Sequence, residues 1–463
     1  MNLEIVNNQL SEFVGAKVES QRAYFSSGAT LPYAFRIRQL NRLLEALDDW
    51  ERPLCDALWQ DLHKSYQEAV LTELSIVKGE IRHHLRHLRS WMRCRKVGSP
   101  IKMFPSTTRV LTQPLGTALI IAPWNYPVQL LLNPLVGAIS AGCTAVLKTS
   151  PYVPCVAQAL TQMIGSTFEE RYVTIFNGHR DMNTALLEQH FDLIFFTGSP
   201  ALGQTVMEAA AQHLTPVVLE LGGKSPCIVT PEADVEVAAK RIAWGKTINS
   251  GQTCIAPDYL LIHSSQKSRF VEAYGKALEQ LHGSNPQQSK HYGRMVSGKA
   301  FERVSSYLAD GKVLFGGTID STERYIEPTL LEITDLGVSV MQEEIFGPIL
   351  PVVTYEREEQ VVEFITSRPH PLALYYFGTK SKGEELLGHT LSGGACINDT
   401  IMHIVNEKAP FGGVGMSGMG RYHGKESFLS FSHQRTVVTT PRHLDLPLRY
   451  MPYKLFKYIK GML

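Results

Sequence analysis

Over the first hundred positions apolar residues recur with a 3.6-residue period. Leu40, Leu43, Leu44 and Leu47 form one such face, and Ile81, Leu85, Leu88 and Met92 another. The spacing predicts helices through residues 1–97, with Pro53 suited to a helix start. A polar strand is expected over 108–113. Beyond it the pattern changes to short apolar blocks: strands are predicted at 117–122, 144–147, 172–176, 193–196 and 217–219. Helices at 128–140, 153–164 and 200–212 separate them. Apolar strands alternating with helices imply a parallel sheet covered on both faces, with ligands at the carboxyl ends of its strands. A second αβ unit follows Gly223, with a helix at 235–247 and a strand at 259–263. Shorter elements run to about 427, and the β-branched run 435–440 reads as an edge strand.

Composition narrows the classes. A chain of 463 residues, 44% hydrophobic and 19% charged, is an ordinary globular protein of two or three domains. Lys+Arg 45 against Asp+Glu 44 leaves a net charge of +1, and no global field favours nucleic acid. The row Arg82, Arg86, Arg89 and Arg93 reads as a solvated helix face, because no stacking aromatics interleave with it. His83 and His87 lie one turn apart, but no glutamate follows His83, so no metal site is expected. Cys55, Cys94, Cys143, Cys155, Cys227 and Cys396 are scattered like reduced core residues. The N-terminus lacks the pattern of a secretory signal, and no apolar run reaches the roughly 20 residues that span a bilayer. A cytoplasmic protein is expected.

Candidate chemistry centres on Gly251-Gln252-Thr253-Cys254 and on Glu220, 34 residues upstream at the end of an apolar run. A thiol and a separate carboxylate suit covalent catalysis followed by hydrolysis, although a cysteine alone reads as a core residue. Two glycine patterns are decoys. Gly413-Val414-Gly415-Met416-Ser417-Gly418 fits a dinucleotide fingerprint but lacks a preceding strand and a later acidic residue. The stretch from Gly198 to Thr205 nearly forms a phosphate loop, but Gln204 stands where lysine is needed. Thr197-Gly198-Ser199 between a strand and a helix still offers N–H groups to a pyrophosphate. Asn125, in Pro123-Trp124-Asn125-Tyr126-Pro127, could donate to an oxyanion or be a turn asparagine. Lys148 could bind ribose hydroxyls or be a plain surface lysine.

Together these motifs resemble the aldehyde dehydrogenase superfamily from about residue 30 to 440. The ordered matches continue through Glu343-Glu344-Ile345-Phe346-Gly347-Pro348, Asn398-Asp399 and Pro410-Phe411-Gly412-Gly413. The segment from Ser417 to Lys425, followed by Phe428, Phe431 and His433, is similar to the class 3 group of fatty and aromatic aldehyde dehydrogenases. The resemblance implies an α/β fold with a Rossmann-like cofactor domain (1–97 and 115–221) and an α/β catalytic domain (222–430). A small bridging β-sheet (98–114 and 431–441) and a tail (442–463) complete it. It also implies a homodimer with NAD or NADP as cofactor and an aldehyde, medium- or long-chain or aromatic, as substrate. The catalytic residues implied are Cys254 as nucleophile, Glu220 as base and Asn125 as oxyanion donor. Those implied around the cofactor are Trp124, Lys148, Thr197, Gly198, Ser199, Leu221, Gly222, Glu344 and Phe346. A coenzyme A-acylating enzyme and a non-catalytic protein on the same scaffold are the alternatives.

Two departures matter. Where the family carries Lys-Pro-Ser-Glu, this chain has Lys148-Thr149-Ser150-Pro151, so the carboxylate that repels a 2′-phosphate is missing and NADP should be accepted. Glu169 or Glu170 could fill the gap in space. In the tail, Leu455, Phe456, Ile459 and Met462 alternate with Lys454, Lys457 and Lys460. Such a segment could cover the substrate entrance, rest on an anionic membrane surface or dock on a partner subunit.

Overall fold

The computed structural model describes residues 3–445, 447, 450–453 and 456–462. Helices Leu3–Ser26, Tyr33–Asp49, Glu51–Leu62 and Ser75–Trp91 form the N-terminal layer. Leu40, Leu43, Leu47, Ile81 and Leu88 are buried, as their period requires. Between the last two helices lie a single turn, Tyr66–Ala69, and a π turn, Val70–Leu74, which periodicity did not reveal.

The strands follow in order. β1 (Arg95–Val97) and β2 (Thr107–Pro114) come first, then β3 (Thr117–Ile121), β4 (Thr144–Lys148), β5 (Val173–Phe176), β6 (Leu193–Thr197) and β7 (Val217–Glu220). β8 (Pro226–Val229), β9 (Tyr259–His263), β10 (Lys312–Phe315), β11 (Ile319–Asp320) and β12 (Tyr325–Ile326) begin the second half. β13 (Thr329–Glu332), β14 (Ile349–Tyr355), β15 (Ala373–Phe377), β16 (Gly394–Ile397), β17 (Gly418–Met419) and β18 (Ser432–Thr439) complete the set.

One sheet has the order β17-β7-β6-β3-β4-β5, parallel except for β17; another has β10-β13-β14-β9-β8-β15-β16, parallel except for β10. β3, β4, β6 and β15 are buried along their whole length, which accounts for their continuous apolar sequences. A third, antiparallel sheet has the order β1-β2-β18, with β18 on its edge. Helix was expected to residue 97, but it ends at Trp91 and β1 begins at Arg95. That exposed strand has no apolar alternation to announce it.

Two late segments add detail that the pattern did not carry. The glycine run at 413–418 is a loop, and its end, β17, pairs with β7 so that Gly418 lies opposite Glu220. A two-residue strand leaves no period in a sequence. In the tail, Lys454 and Leu455 lie outside the described residues; Phe456–Ile459 forms one helical turn and Lys460–Met462 a 3₁₀ turn. Among the described residues no helix is long and apolar enough to cross a membrane.

Candidate active site

In the six-stranded sheet the chain moves from β3 outward to β4 and β5, and on the other side to β6 and β7. That reversal leaves a crevice beyond the carboxyl ends of β3 and β6. Trp124 and Asn125 follow β3. Thr197, Gly198 and Ser199 end β6 and lead into helix Pro200–Ala211, whose Leu202 N–H donates to Ser199 Oγ at 3.5 Å. The Gly198 N–H donates to the Glu220 carbonyl at 3.0 Å, joining this turn to the end of β7.

The cysteine loop enters from the other sheet. After helix Val235–Thr247, Asn249, Ser250 and Gly251 have φ of 50°, 53° and 74°. A Cβ on Gly251 would lie 2.3 Å from the Gly347 carbonyl oxygen, so only glycine fits. Asn249 and Ser250 carry strain of about 1–2 kcal/mol each in this region, and hydrogen bonds offset it. The Asn249 N–H donates to Glu68 Oε1 at 2.8 Å, and its amide to the carbonyls of Asn125 at 2.8 Å and Gln252 at 3.1 Å. Gln252 donates to the Asn249 and Arg294 carbonyls, 3.0 Å away in each case. The Asn125 amide donates to the Gln252 carbonyl at 3.1 Å, and the Tyr126 hydroxyl lies 2.7 Å from Thr253 Oγ1. Asn125 is therefore bound to the loop that presents Cys254, with its second N–H donor left over.

Cys254 and Glu220 line one cavity of about 460 Å³. Its walls are mostly apolar, with Ile76, Leu130, Trp244, Ile248, Ile401 and Phe411 among them. Leu71, Met402 and Val405 line it too and are exposed, so the cavity has an apolar rim. Glu220 is 3% exposed, and neither carboxyl oxygen has a hydrogen-bond partner among the described residues. Burial raises its pKa well above the usual carboxylate range. Burial, followed by the Glu344 and Glu220 carboxylates, pushes the half-buried Cys254 thiol up to about 12. The N–H groups of Cys254 and Ile255 act the other way.

The remaining expected residues lie at or beside the carboxyl ends of β3, β4, β6 and β7. Trp124 meets the Phe346 ring edge-on, 5.3 Å between centroids. A Cβ on Gly222 would lie 2.2 Å from Glu344 Oε2, so glycine lets that carboxylate close over the β7 turn. Burial raises Glu344 to about 8, and its Oε1 has no partner among the described residues. Thr197 Oγ1 is likewise buried and unpartnered among them. Leu221 and Thr197 also reach the cavity. Lys148 is not a surface lysine: it is 1% exposed, donates to the carbonyls of Gly178 at 2.8 Å and Thr149 at 2.6 Å, and burial lowers it to about 8. The orphaned oxygens of Thr197 and Glu344, the glycine cradle and the N-terminus of helix Pro200–Ala211 fit a dinucleotide.

Sequence reasoning missed the supports of this site, Lys64, Glu68 and Glu73, and the cavity wall from helix Ser75–Trp91. Three charged residues within ten positions were the only signal, and no spacing rule connects them to residue 125.

This arrangement, a cysteine and a carboxyl in one cavity beside a dinucleotide-sized crevice, is that of an oxidoreductase. The aldehyde dehydrogenase family model matches residues 5–437, and the chain belongs to that family. The 4,4′-diaponeurosporen-aldehyde dehydrogenase of Staphylococcus aureus is 44% identical, over 96% of this chain and 98% of its own length. The dog aldehyde dehydrogenase described as dimeric and NADP-preferring is 42% identical, over 94% and 97%. The substrate-bound structure of Staphylococcus aureus AldH has a TM-score of 0.95 at 42% identity, covering 96% of this chain and 98% of that one. The protein is an enzyme that oxidises aldehydes with NAD or NADP.

Proposed function

We propose that the chain converts medium- or long-chain aliphatic or aromatic aldehydes to carboxylic acids through a thiohemiacetal and a thioester on Cys254. The observation that carries this reading is the apolar cavity holding Cys254 and Glu220 together. Such walls favour a hydrocarbon substrate by the area they remove from water.

The Cys254 thiol gives up its proton to water, and its sulfur bonds to the aldehyde carbon. The carbonyl oxygen becomes an alkoxide, stabilised by the spare Asn125 N–H and the Cys254 N–H. Bound nicotinamide would supply the acceptor for the hydride that the carbon loses when the alkoxide closes back to a carbonyl, which leaves the thioester on Cys254. Thr197, Gly198 and Ser199 would hold the cofactor's phosphates, Glu344 its ribose, and Trp124 and Phe346 would flank its ring. Glu220 then takes a proton from water, whose oxygen attacks the thioester; the C–S bond breaks and the acid leaves. A buried carboxyl beside the cysteine favours water over coenzyme A as the acyl acceptor.

We also propose that both NAD and NADP are used. Glu169 and Glu170 precede the amino end of β5, whereas Pro151 follows the carboxyl end of the neighbouring parallel strand β4, which argues against either carboxylate replacing the missing one. The dog relative is named for NADP. A homodimer is proposed from the edge strand β18 and from that relative's name.

The test is a panel of short, long-chain and aromatic aldehydes, with Glu220→Gln run beside the wild type. The variant should give one burst of reduced cofactor and then turn over roughly 10²–10⁴-fold more slowly. Wild-type turnover in Glu220→Gln would remove Glu220 from the mechanism.

A further inference from the structure

One short stretch, residues 64–73, sends three charged side chains to the loops that carry Asn125 and Cys254. Helix Glu51–Leu62 ends at His63, where φ is 57°, and Lys64 turns inward. Lys64 Nζ lies 2.6 Å from Glu73 Oε1, and both side chains are fully buried. The same ammonium donates to the Asn125 carbonyl at 3.1 Å and lies 4.1 Å from the centre of the Tyr126 ring. Glu73 sits in the π turn Val70–Leu74, a geometry frequent at functional sites. Its Oε2 accepts from the N–H groups of Val128 at 2.8 Å and Gln129 at 3.2 Å, where helix Gln129–Ala141 begins.

Burying two full charges is costly, and apolar residues of similar size usually stabilise a core as well or better. Here both charges spend their hydrogen bonds on the backbone of residues 125–129, the turn that bears the oxyanion donor. Neither side chain lines the cavity. We propose that the Lys64–Glu73 pair is a positioning device: it holds this turn by its backbone so that the Asn125 amide faces the alkoxide formed at Cys254. The proposal rests on the thioester reading given above.

The test uses the full chain with NAD, following the pre-steady-state burst of reduced cofactor and, separately, alkylation of Cys254 by iodoacetamide. Alkylation forms no alkoxide. Lys64→Met should slow the burst about 10²-fold, the scale of a lost oxyanion donor. The aldehyde KM and the alkylation rate should stay within about threefold of wild type. Glu73→Gln keeps an oxygen for Val128 and Gln129 but loses the charge, and should slow the burst about tenfold. It carries the test if Lys64→Met does not fold. In an Asn125→Ala background, adding Lys64→Met or Glu73→Gln should change the burst by less than about threefold, because the interaction is already gone. Full additive losses there, or alkylation falling in step with the burst, would overturn the proposal. An Asn125→Ala enzyme with a wild-type burst would overturn it as well. A Glu220→Gln enzyme that reduces no cofactor in a single turnover would instead overturn the thioester reading.

Discussion

Glu220 shows what a single residue can do to both stability and rate. Its carboxyl lies in an apolar cavity with no partner among the described residues, and burial raises its pKa. A group whose folded pKa exceeds its unfolded value stabilises the fold most below the unfolded value of 4.5. Stability is then lost as pH rises toward the folded pKa. Glu220→Gln removes that loss, so denaturant unfolding should show the variant more stable than wild type. The difference should grow between pH 5 and 8 by at most about 1.4 kcal/mol per pH unit. Equal pH dependence in the two proteins would contradict a raised Glu220 pKa. Pro151 poses the second question at this scale. Pro151→Glu should weaken NADP selectively, by repulsion of its 2′-phosphate that fades in high salt. Wild-type efficiencies for NAD and NADP should lie within about tenfold, or about 1.4 kcal/mol. Rejection of NADP by the wild type in steady-state kinetics would sink the idea.

At the scale of elements, helix Ser75–Trp91 divides its faces between solvent and substrate. Arg82, Arg86 and Arg89 are exposed, whereas Ser75, Ile76, Gly79 and Glu80 line the cavity with helical spacing. Glu80 is held there by the ring of His84 at 3.0 Å and by the Gly424 N–H at 2.6 Å. Gly79 is the permissive position. A Cβ built on it meets nothing within 4 Å, and its φ is not left-handed. Gly79→Leu should therefore fill cavity space while making the helix about 1 kcal/mol more favourable. We expect kcat/KM for long-chain and aromatic aldehydes to fall about 10–100-fold, with a short aldehyde changed little. Equal losses on all chain lengths would place Gly79 outside the substrate path.

For the whole molecule, the site is a product of two sheets. The six-stranded sheet supplies Asn125, Thr197 and Glu220, and the loop before β9 of the seven-stranded sheet supplies Cys254. The antiparallel sheet β1-β2-β18 leaves β18 as an edge with unpaired backbone groups. A second copy of the chain would cover such an edge. Sedimentation should therefore give about twice the chain mass of 51.7 kDa. A monomer at micromolar concentration would refute the homodimer.

Strands β3 to β7 and β9 were legible in the sequence because burial on both faces writes continuous apolar runs, whereas the four-residue β8 and the short helix Arg180–Leu187 went unread. Cys254, Glu220 and Asn125 were legible because their motifs are local: a glycine-rich turn, a strand end, a proline-bounded loop. β1, β17 and the π turn were not, since three exposed residues, two glycine-rich residues or one extra residue in a helix leave no period. Nor was the burial of Lys148, which reads from sequence as either a ribose ligand or a surface lysine. Lys64 and Glu73 became intelligible only with the fold, as hydrogen bonds from residues 64 and 73 to 125–129 obey no sequence spacing. The same holds for the cavity, whose walls come from helix, loop and strand ends far apart in the chain. Local chemistry is written in neighbouring residues; the environment that sets its pKa values, its substrate and its geometry is assembled by long-range packing.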